Sequence, residues 1–302
     1  MKEHYGIEVP ISAARNLTEE HGEAMQNDEP TRELRQGGAR CVIAEMDGSM
    51  VPIVSIESEE KGQKTKGDKR KQRQLGWREA RLSVARDPRS ITPHFRATMG
   101  EPDQAGLQLV ECVADAGGGK STKLHGVGDG APWIVMQMKK QFGQQANYLI
   151  DFYHVSEYLA AAGDLLGDKK KFWLKKQQRR LKANRINEVL TELKLLEVFQ
   201  QPGQKGMAAR LGSGKEEPPA TACKRYLENR LNYLDYHRAL KSRLPISSGE
   251  IESGHRWVIL ARLKLAGAWW KIDNAQRMLN LRVVRANEEW DTYWLNLRQA
   301  AA

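Results

Sequence analysis

The chain lacks any apolar run near the ~20 residues that a membrane-spanning helix needs. Its first residues, Met1-Lys-Glu-His-Tyr-Gly6, hold no apolar h-region of a secretory signal. No amphipathic anchor stands out, so no membrane partner is expected. Cysteine is scarce. Cys41, Cys112 and Cys223 are scattered and odd in number, which argues against a disulfide framework and a cysteine-rich zinc site and fits a reducing cytoplasm. No repeat of solenoid period is present. Acid is short relative to base: 48 Lys and Arg against 38 Asp and Glu leave a formal charge of +10. That imbalance speaks about partners rather than fold, and nucleic acid is the leading class for a basic protein of this size. The 302 residues, 40% of them hydrophobic, suffice for one large domain with an insertion or for two modest ones.

What is present reads as strands followed by helices. Residues 1–25 suggest one or two short helices, with starts at Pro10 and Thr18; a helical arm is the plainer reading and the tail of a helix-turn-helix the other. Residues 26–38 are polar and read as a linker. Cys41–Met46 and Met50–Ile56 are strand-like runs around Asp47-Gly48, which predicts a hairpin turning at that dipeptide. Residues 57–74 read as a loop, Trp77–Ala85 as a third strand and 93–115 as helical. A short strand ends at His125-Gly-Val-Gly-Asp-Gly-Ala131, a helix starts near Pro132, and a fifth strand-like run, Asn147-Tyr-Leu-Ile-Asp-Phe-Tyr-His-Val155, leads into helix. From 155 to 243 the chain is rich in Leu, Lys, Gln and Glu with helical periodicity, interrupted by a loop at 203–219; residues 250–298 are helical again. The expected divisions are an arm at 1–38, the first part of an α/β domain at 39–154, a mostly helical insertion at 155–244, and the last helical part at 245–302.

Three acids fall where α/β proteins collect functional groups, at strand ends and helix starts: Asp47, Asp129 and Glu252. Mg²⁺ is commonly held by a few carboxylates plus phosphate and water, and two such ions about 4 Å apart can serve both oxygens of a phosphodiester exchange. Singly, each acid has a plainer reading. Asp-Gly is a common turn, and a glutamate in a first turn simply favours the helix dipole. Asp151 and His154 lie three apart at a strand-to-helix junction, where they could bond each other or a metal; a capping aspartate beside a half-buried histidine is the plainer alternative. Residues 61–81 carry nine Lys and Arg against Asp68 and Glu79, and 169–185 carry nine with no acid. From the second run Lys169, Lys170, Lys171, Lys175, Lys176, Arg179 and Arg180 are candidate phosphate contacts, joined by Arg262 and Lys264. Trp269-Trp270 could stack on bases, although paired tryptophans in an Ala/Leu-rich segment more often belong to a core.

Gly128-Asp-Gly-Ala-Pro-Trp-Ile134, Leu149-Ile-Asp-Phe-Tyr-His-Val-Ser-Glu-Tyr-Leu159, Pro245-Ile-Ser-Ser-Gly-Glu-Ile-Glu-Ser-Gly-His-Arg256 and Arg262-Leu-Lys-Leu-Ala-Gly-Ala-Trp-Trp270 together resemble bacterial insertion-sequence transposases of the ISKra-type group, distantly related to Mutator-like transposases. The resemblance runs from about residue 40 to 290. It implies a ribonuclease-H-like mixed sheet with a helical insertion before the last catalytic helix, an Asp-Asp-Glu triad and two Mg²⁺ ions, for which Mn²⁺ can substitute. By analogy the triad is Asp47, Asp129 and Glu252; Asp151 is the rival second acid and Glu250 the rival third. His154 or Arg256 would orient a phosphate. The implied activity is DNA cleavage and strand transfer by a homo-oligomer at element ends, in the bacterial cytoplasm at the nucleoid. A catalytically inactive DNA-binding derivative and a ribonuclease-H-like nuclease without strand transfer are the alternatives. Members of this group usually carry a longer N-terminal region for end recognition, so a truncated copy is also an expectation.

Overall fold

The computed structural model describes residues 6, 8–27, 34–56, 73–199 and 217–300. In chain order the elements are α1 (Ile11–Asn27), β1 (Cys41–Ile56), β2 (Arg73–Arg86), β3 (His94–Thr98), α2 (Pro102–Asp115), β4 (Lys123–Gly128), α3 (Pro132–Phe142), β5 (Ala146–Ile150), α4 (Phe152–Ala162), α5 (Lys170–Lys182), α6 (Ile186–Phe199), α7 (Pro219–Glu228), α8 (Tyr236–Lys241), α9 (Gly249–Gly254), α10 (Ile272–Ala286) and α11 (Trp290–Ala300). The class is mixed α/β: β1, β2 and β3 pair antiparallel, and β4 and β5 pair parallel. Most of the expected loop at 57–74, the loop at 203–219 and the basic run at 61–81 lie outside the described residues. The chain divides into two compact units, one of 1–123, 137–145 and 249–302, the other of 124–136 and 146–248.

In the first unit the hairpin expected at Asp47-Gly48 is absent. β1 runs straight through, with Asp47 opposite Leu82 and Gly48 opposite Arg81 in an unbroken ladder from Ile43 to Ile56. Neither residue has the positive φ that a two-residue hairpin turn requires. The glycine serves close approach instead: a Cβ there would lie 2.0 Å from Glu79 Oε1. Turn propensity loses to fourteen residues of cross-strand pairing with β2. Asp47 therefore lies in mid-strand, not at a strand end.

The helix expected over 93–115 is also divided. His94–Thr98 forms β3 on the open edge of β2, and the helix begins only at Pro102, whose fixed φ suits a first turn. Alternation explains the strand. Phe95 and Ala97 enter the core, while Arg96 points the other way, 2.8 Å from Asp115 and 3.3 Å from Glu111. The core gathers Leu82, Val84 and Phe95 against Ile251, Val258 and Ile259 from the α9 region and Leu279 and Val283 from α10. α1 is one helix and lies on α10. Asn280 donates to the Gly22 carbonyl at 2.9 Å, and a Cβ on Gly22 would sit 2.6 Å from the Arg277 carbonyl oxygen, so only glycine permits this approach.

In the second unit β5 ends at Ile150 and α4 begins at Phe152, with Asp151 as the cap between them. Residues expected as the helical insertion contain α5 to α8. The strongly basic α5 still buries a stripe, Trp173, Gln177 and Leu181, at intervals of four. That stripe joins Val189, Leu193 and Leu196 of α6 and Ala222, Cys223 and Leu227 of α7 among the buried side chains. Among the described residues no helix is long and apolar enough to cross a membrane.

Candidate catalytic carboxylates

The first unit holds Asp47 and Glu252. α9 is secured over β1 by a buried carboxylate: the Ile251 N–H donates to Glu45 Oε2 at 2.8 Å, across 206 residues of sequence. Glu45, on β1, is 1% exposed, and its carboxylate meets the first turn of α9, where the helix dipole favours negative charge. After Gly254 the backbone widens into a π-helical turn, His255–Leu260, a rare geometry frequent at functional sites. The buried His255 places Nε2 3.0 Å from Asp47 Oδ2, a close polar approach off the line of a hydrogen bond. Asp47 Oδ1 accepts from the Gly48 N–H at 2.7 Å. Asp47 is half-buried.

The two glutamates of α9 part company. Glu250 Oε1 accepts from Arg86 Nε at 2.7 Å, and Arg86 also donates to three carbonyls of the 87–90 turn. Glu250 is thus tied down. Glu252 is exposed and makes no hydrogen bond or ion pair among the described residues. Arg256, in the π turn, is exposed as well.

The second unit holds Asp129 and Asp151, and they differ sharply. Asp151 is 3% exposed and has four donors. Its Oδ1 accepts the N–H groups of Tyr153 (2.6 Å) and His154 (2.8 Å); its Oδ2 accepts the Ser248 N–H (2.5 Å) and hydroxyl (2.8 Å). It is a helix cap that also clasps the 245–248 segment, which Phe152 holds again by donating to the Ile246 carbonyl at 2.8 Å. Oxygens so fully engaged do not suit a metal. His154 gives Asp151 its backbone N–H, and its ring lies 5.8 Å from that of Tyr226 and 5.5 Å from that of Tyr158.

Asp129 stands half-buried on the tight turn after β4, with Oδ1 accepting the Ala131 N–H at 2.8 Å. Gly130 has φ +81° and makes that turn possible; a Cβ there would meet Arg230 Nε at 2.9 Å. Tyr226 donates to the Asp129 carbonyl at 2.7 Å, Arg230 donates to the Gly130 carbonyl at 3.2 Å, and Arg230 stacks on Tyr226 at 4.2 Å. Burial pushes the Tyr226 hydroxyl far above its usual range, so it stays a neutral donor. Neighbouring His125 is also buried, with Nε2 2.7 Å from the Pro245 carbonyl oxygen; burial lowers its pKa although that hydrogen bond opposes the shift.

Asp47 and Glu252 belong to one unit, Asp129 and Asp151 to the other. Among the described residues no three His, Cys, Asp or Glu side chains are grouped so as to hold a metal. As donor chemistry, half-exposed carboxylate oxygens at Asp47 and Asp129 and an exposed one at Glu252 suit a hard divalent cation, whereas Asp151 and Glu250 do not. Glu45, Tyr226, Arg230 and Ser248 escaped the sequence reading. Ser248 lies inside the Pro245–Arg256 motif and Glu45 inside the first strand run, but neither pattern gives them a role, because each of the four acts through a partner roughly a hundred or more positions away. His255 was visible inside Gly-His-Arg but had no assigned role.

The basic candidates of the insertion divide too. Lys170 pairs with Asp164, Lys176 with Glu192 and Arg180 with both Glu188 and Glu192, so their charge is answered locally. Lys169, Lys171, Lys175 and Arg179 are exposed. Lys264 lies 3.3 Å from Ser49 Oγ, and Arg262 lines a cavity described below. Trp269 is exposed, but Trp270 is packed against the core, its backbone N–H donating to the Pro52 carbonyl and its carbonyl accepting from the Val54 N–H.

The chain matches no known family model and no curated protein.

Proposed function

We propose that the chain is a DNA transposase with a ribonuclease-H-like catalytic fold, acting in the bacterial cytoplasm at the nucleoid as a homo-oligomer on element ends and target DNA. The observation that carries the reading is the fastening of α9 onto β1. Glu45 holds the helix start and His255 meets Asp47, so that two acids far apart in sequence, Asp47 and Glu252, share one compact unit. For the second acid the reading takes Asp129 rather than Asp151, whose oxygens are occupied.

In this reading Asp47, Asp129 and Glu252 would hold Mg²⁺, or Mn²⁺ in its place. Bound in pairs, such ions activate an attacking oxygen and stabilise a leaving one. His255 positions Asp47, leaving Arg256 to meet a phosphate oxygen. In the reaction a water oxygen bonds to phosphorus as the 3′-oxygen leaves. The freed 3′-hydroxyl then attacks a target phosphodiester, giving its proton to solvent, and the target 3′-oxygen leaves. Lys169, Lys171, Lys175 and Arg179 would contact phosphates without reading sequence.

The test is plasmid nicking and end joining with Mg²⁺ or Mn²⁺. Asp47→Ala, Asp129→Ala and Glu252→Ala should each abolish cleavage and leave nonspecific DNA binding intact. Cleavage at the wild-type rate by any of the three would overturn its assignment. No cleavage by the wild-type chain with either ion would make it a DNA-binding derivative; cleavage without joining would make it a nuclease.

A further inference from the structure

α10 presents Met278, Leu281, Arg282 and Arg285 along one side, and α1 faces it with Leu17, Thr18 and His21. Together with Arg262, Trp270, Trp290 and Trp294 these residues enclose a cavity of about 770 Å³, all within the first unit. That volume lies inside the roughly 300–1,000 Å³ of small-molecule sites.

Two properties of the lining stand out together. Three guanidinium groups, Arg262, Arg282 and Arg285, border the cavity and, among the described residues, no carboxylate does. None of the three has an ion pair among the described residues. Arg282 is held by donating its Nε to the Trp257 carbonyl at 2.9 Å, and its pKa is lowered by burial first and then by the charges of Arg262 and Arg285. The other property is aromatic. Trp294 lies 4.6 Å from His21 and 5.7 Å from Trp290, and Arg285 sits over Trp290 at 5.0 Å. Unanswered like charges fixed around a half-enclosed space favour an anion, and planar forks suit phosphate. An inorganic anion would use the arginines and leave the aromatic wall unused; an apolar ligand would do the reverse.

We propose that this cavity is a nucleotide site, with a base against the tryptophan wall and its phosphate on Arg282, Arg285 and Arg262. Neither Asp47 nor Glu252 lines it, so the proposal does not depend on the cleavage chemistry. The nucleotide could be free or an unpaired unit of a strand; the shared chemistry is a base joined to phosphate.

Tryptophan fluorescence titration of the full chain separates these cases, with deoxyadenosine monophosphate, a short single-stranded oligodeoxynucleotide, deoxyadenosine and inorganic phosphate as probes. The mononucleotide or the oligonucleotide should bind at least about ten-fold more tightly than the nucleoside or phosphate. Binding of both nucleotide probes assigns a general nucleotide pocket; binding of the oligonucleotide alone assigns a strand site. Base stacking predicts that Trp294→Leu weakens binding about 5- to 150-fold. Arg282→Gln and Arg285→Gln should each weaken it about ten-fold, and Lys139→Gln, which removes an exposed charge elsewhere, should not. Arg285 is exposed, so its variant reports on the site even if Trp294→Leu misfolds. Phosphate binding as tightly as nucleotide, wild-type affinity in folded Arg282→Gln and Arg285→Gln, or no binding of either nucleotide probe would each overturn the proposal. Glu252→Ala should bind nucleotide normally, which keeps this test separate from that of catalysis.

Discussion

Asp151→Ala removes one side chain and four hydrogen bonds. Two cap α4, and losing a capping aspartate costs about 1 kcal/mol, with a range of roughly 0.5–2. The other two belong to Ser248, which is 8% exposed. Its hydroxyl can rotate to another partner, but its buried N–H cannot, and an orphaned buried donor costs about 1–3 kcal/mol. The variant should therefore lose about 3 kcal/mol, a large share of the roughly 5–15 kcal/mol that keeps a domain folded. Asp151→Asn should recover the capping part alone: its amide oxygen can serve Tyr153 and His154, but its NH₂ then confronts the Ser248 donors. Urea denaturation followed by circular dichroism measures all three proteins, with Glu252→Ala beside them, expected within about 0.5 kcal/mol of wild type because Glu252 is exposed. If Asp151→Ala is as stable as wild type yet cannot cleave DNA, Asp151 is a catalytic acid and the reasoning fails.

Two further outcomes follow from packing and charge. Gly254→Ala would drive a Cβ to 2.6 Å from Phe95 Cε1 and 2.8 Å from Leu82 Cδ2, and should cost about 1–3 kcal/mol by calorimetry; an unchanged melting temperature would mean that α9 sits farther from the sheet. Burial raises the pKa of Glu192, but hydrogen bonds from Arg180 and Lys176 outweigh it and the net shift is downward. A carboxylate with a lowered folded pKa stabilises above its unfolded value, about 4.3, and loses that contribution as the pH falls through the folded value. Urea midpoints recorded from pH 7 down to pH 3 should therefore fall less steeply for Glu192→Gln than for wild type, and parallel curves would count against the Arg180–Glu192–Lys176 cluster.

The legible parts of this chain are those ruled by short-range patterns. Apolar periodicity located the helices of the 155–243 stretch, and the strands β4 and β5 stood out between glycine and proline punctuation. The failures share one cause. At Asp47-Gly48 local turn chemistry pointed to a hairpin, but a long partner strand kept β1 extended, and its register with Leu82 and Arg81 is a non-local fact. At His94–Thr98 five residues are too few for periodicity to separate strand from helix, and the open edge of β2 decided.

The candidate site divides along the same line. Sequence alone identified the acids worth attention and set both Asp129 against Asp151 and Glu252 against Glu250. It could not rank them on physical grounds, because a carboxylate's availability depends on what surrounds it. Tertiary structure supplies the surroundings. Ser248, nearly a hundred residues on, helps occupy Asp151; Arg86 occupies Glu250 across 164 residues; and Glu45 brings the start of α9 to β1. Residue type and spacing are properties of the chain, whereas hydrogen-bond saturation and proximity are properties of the fold.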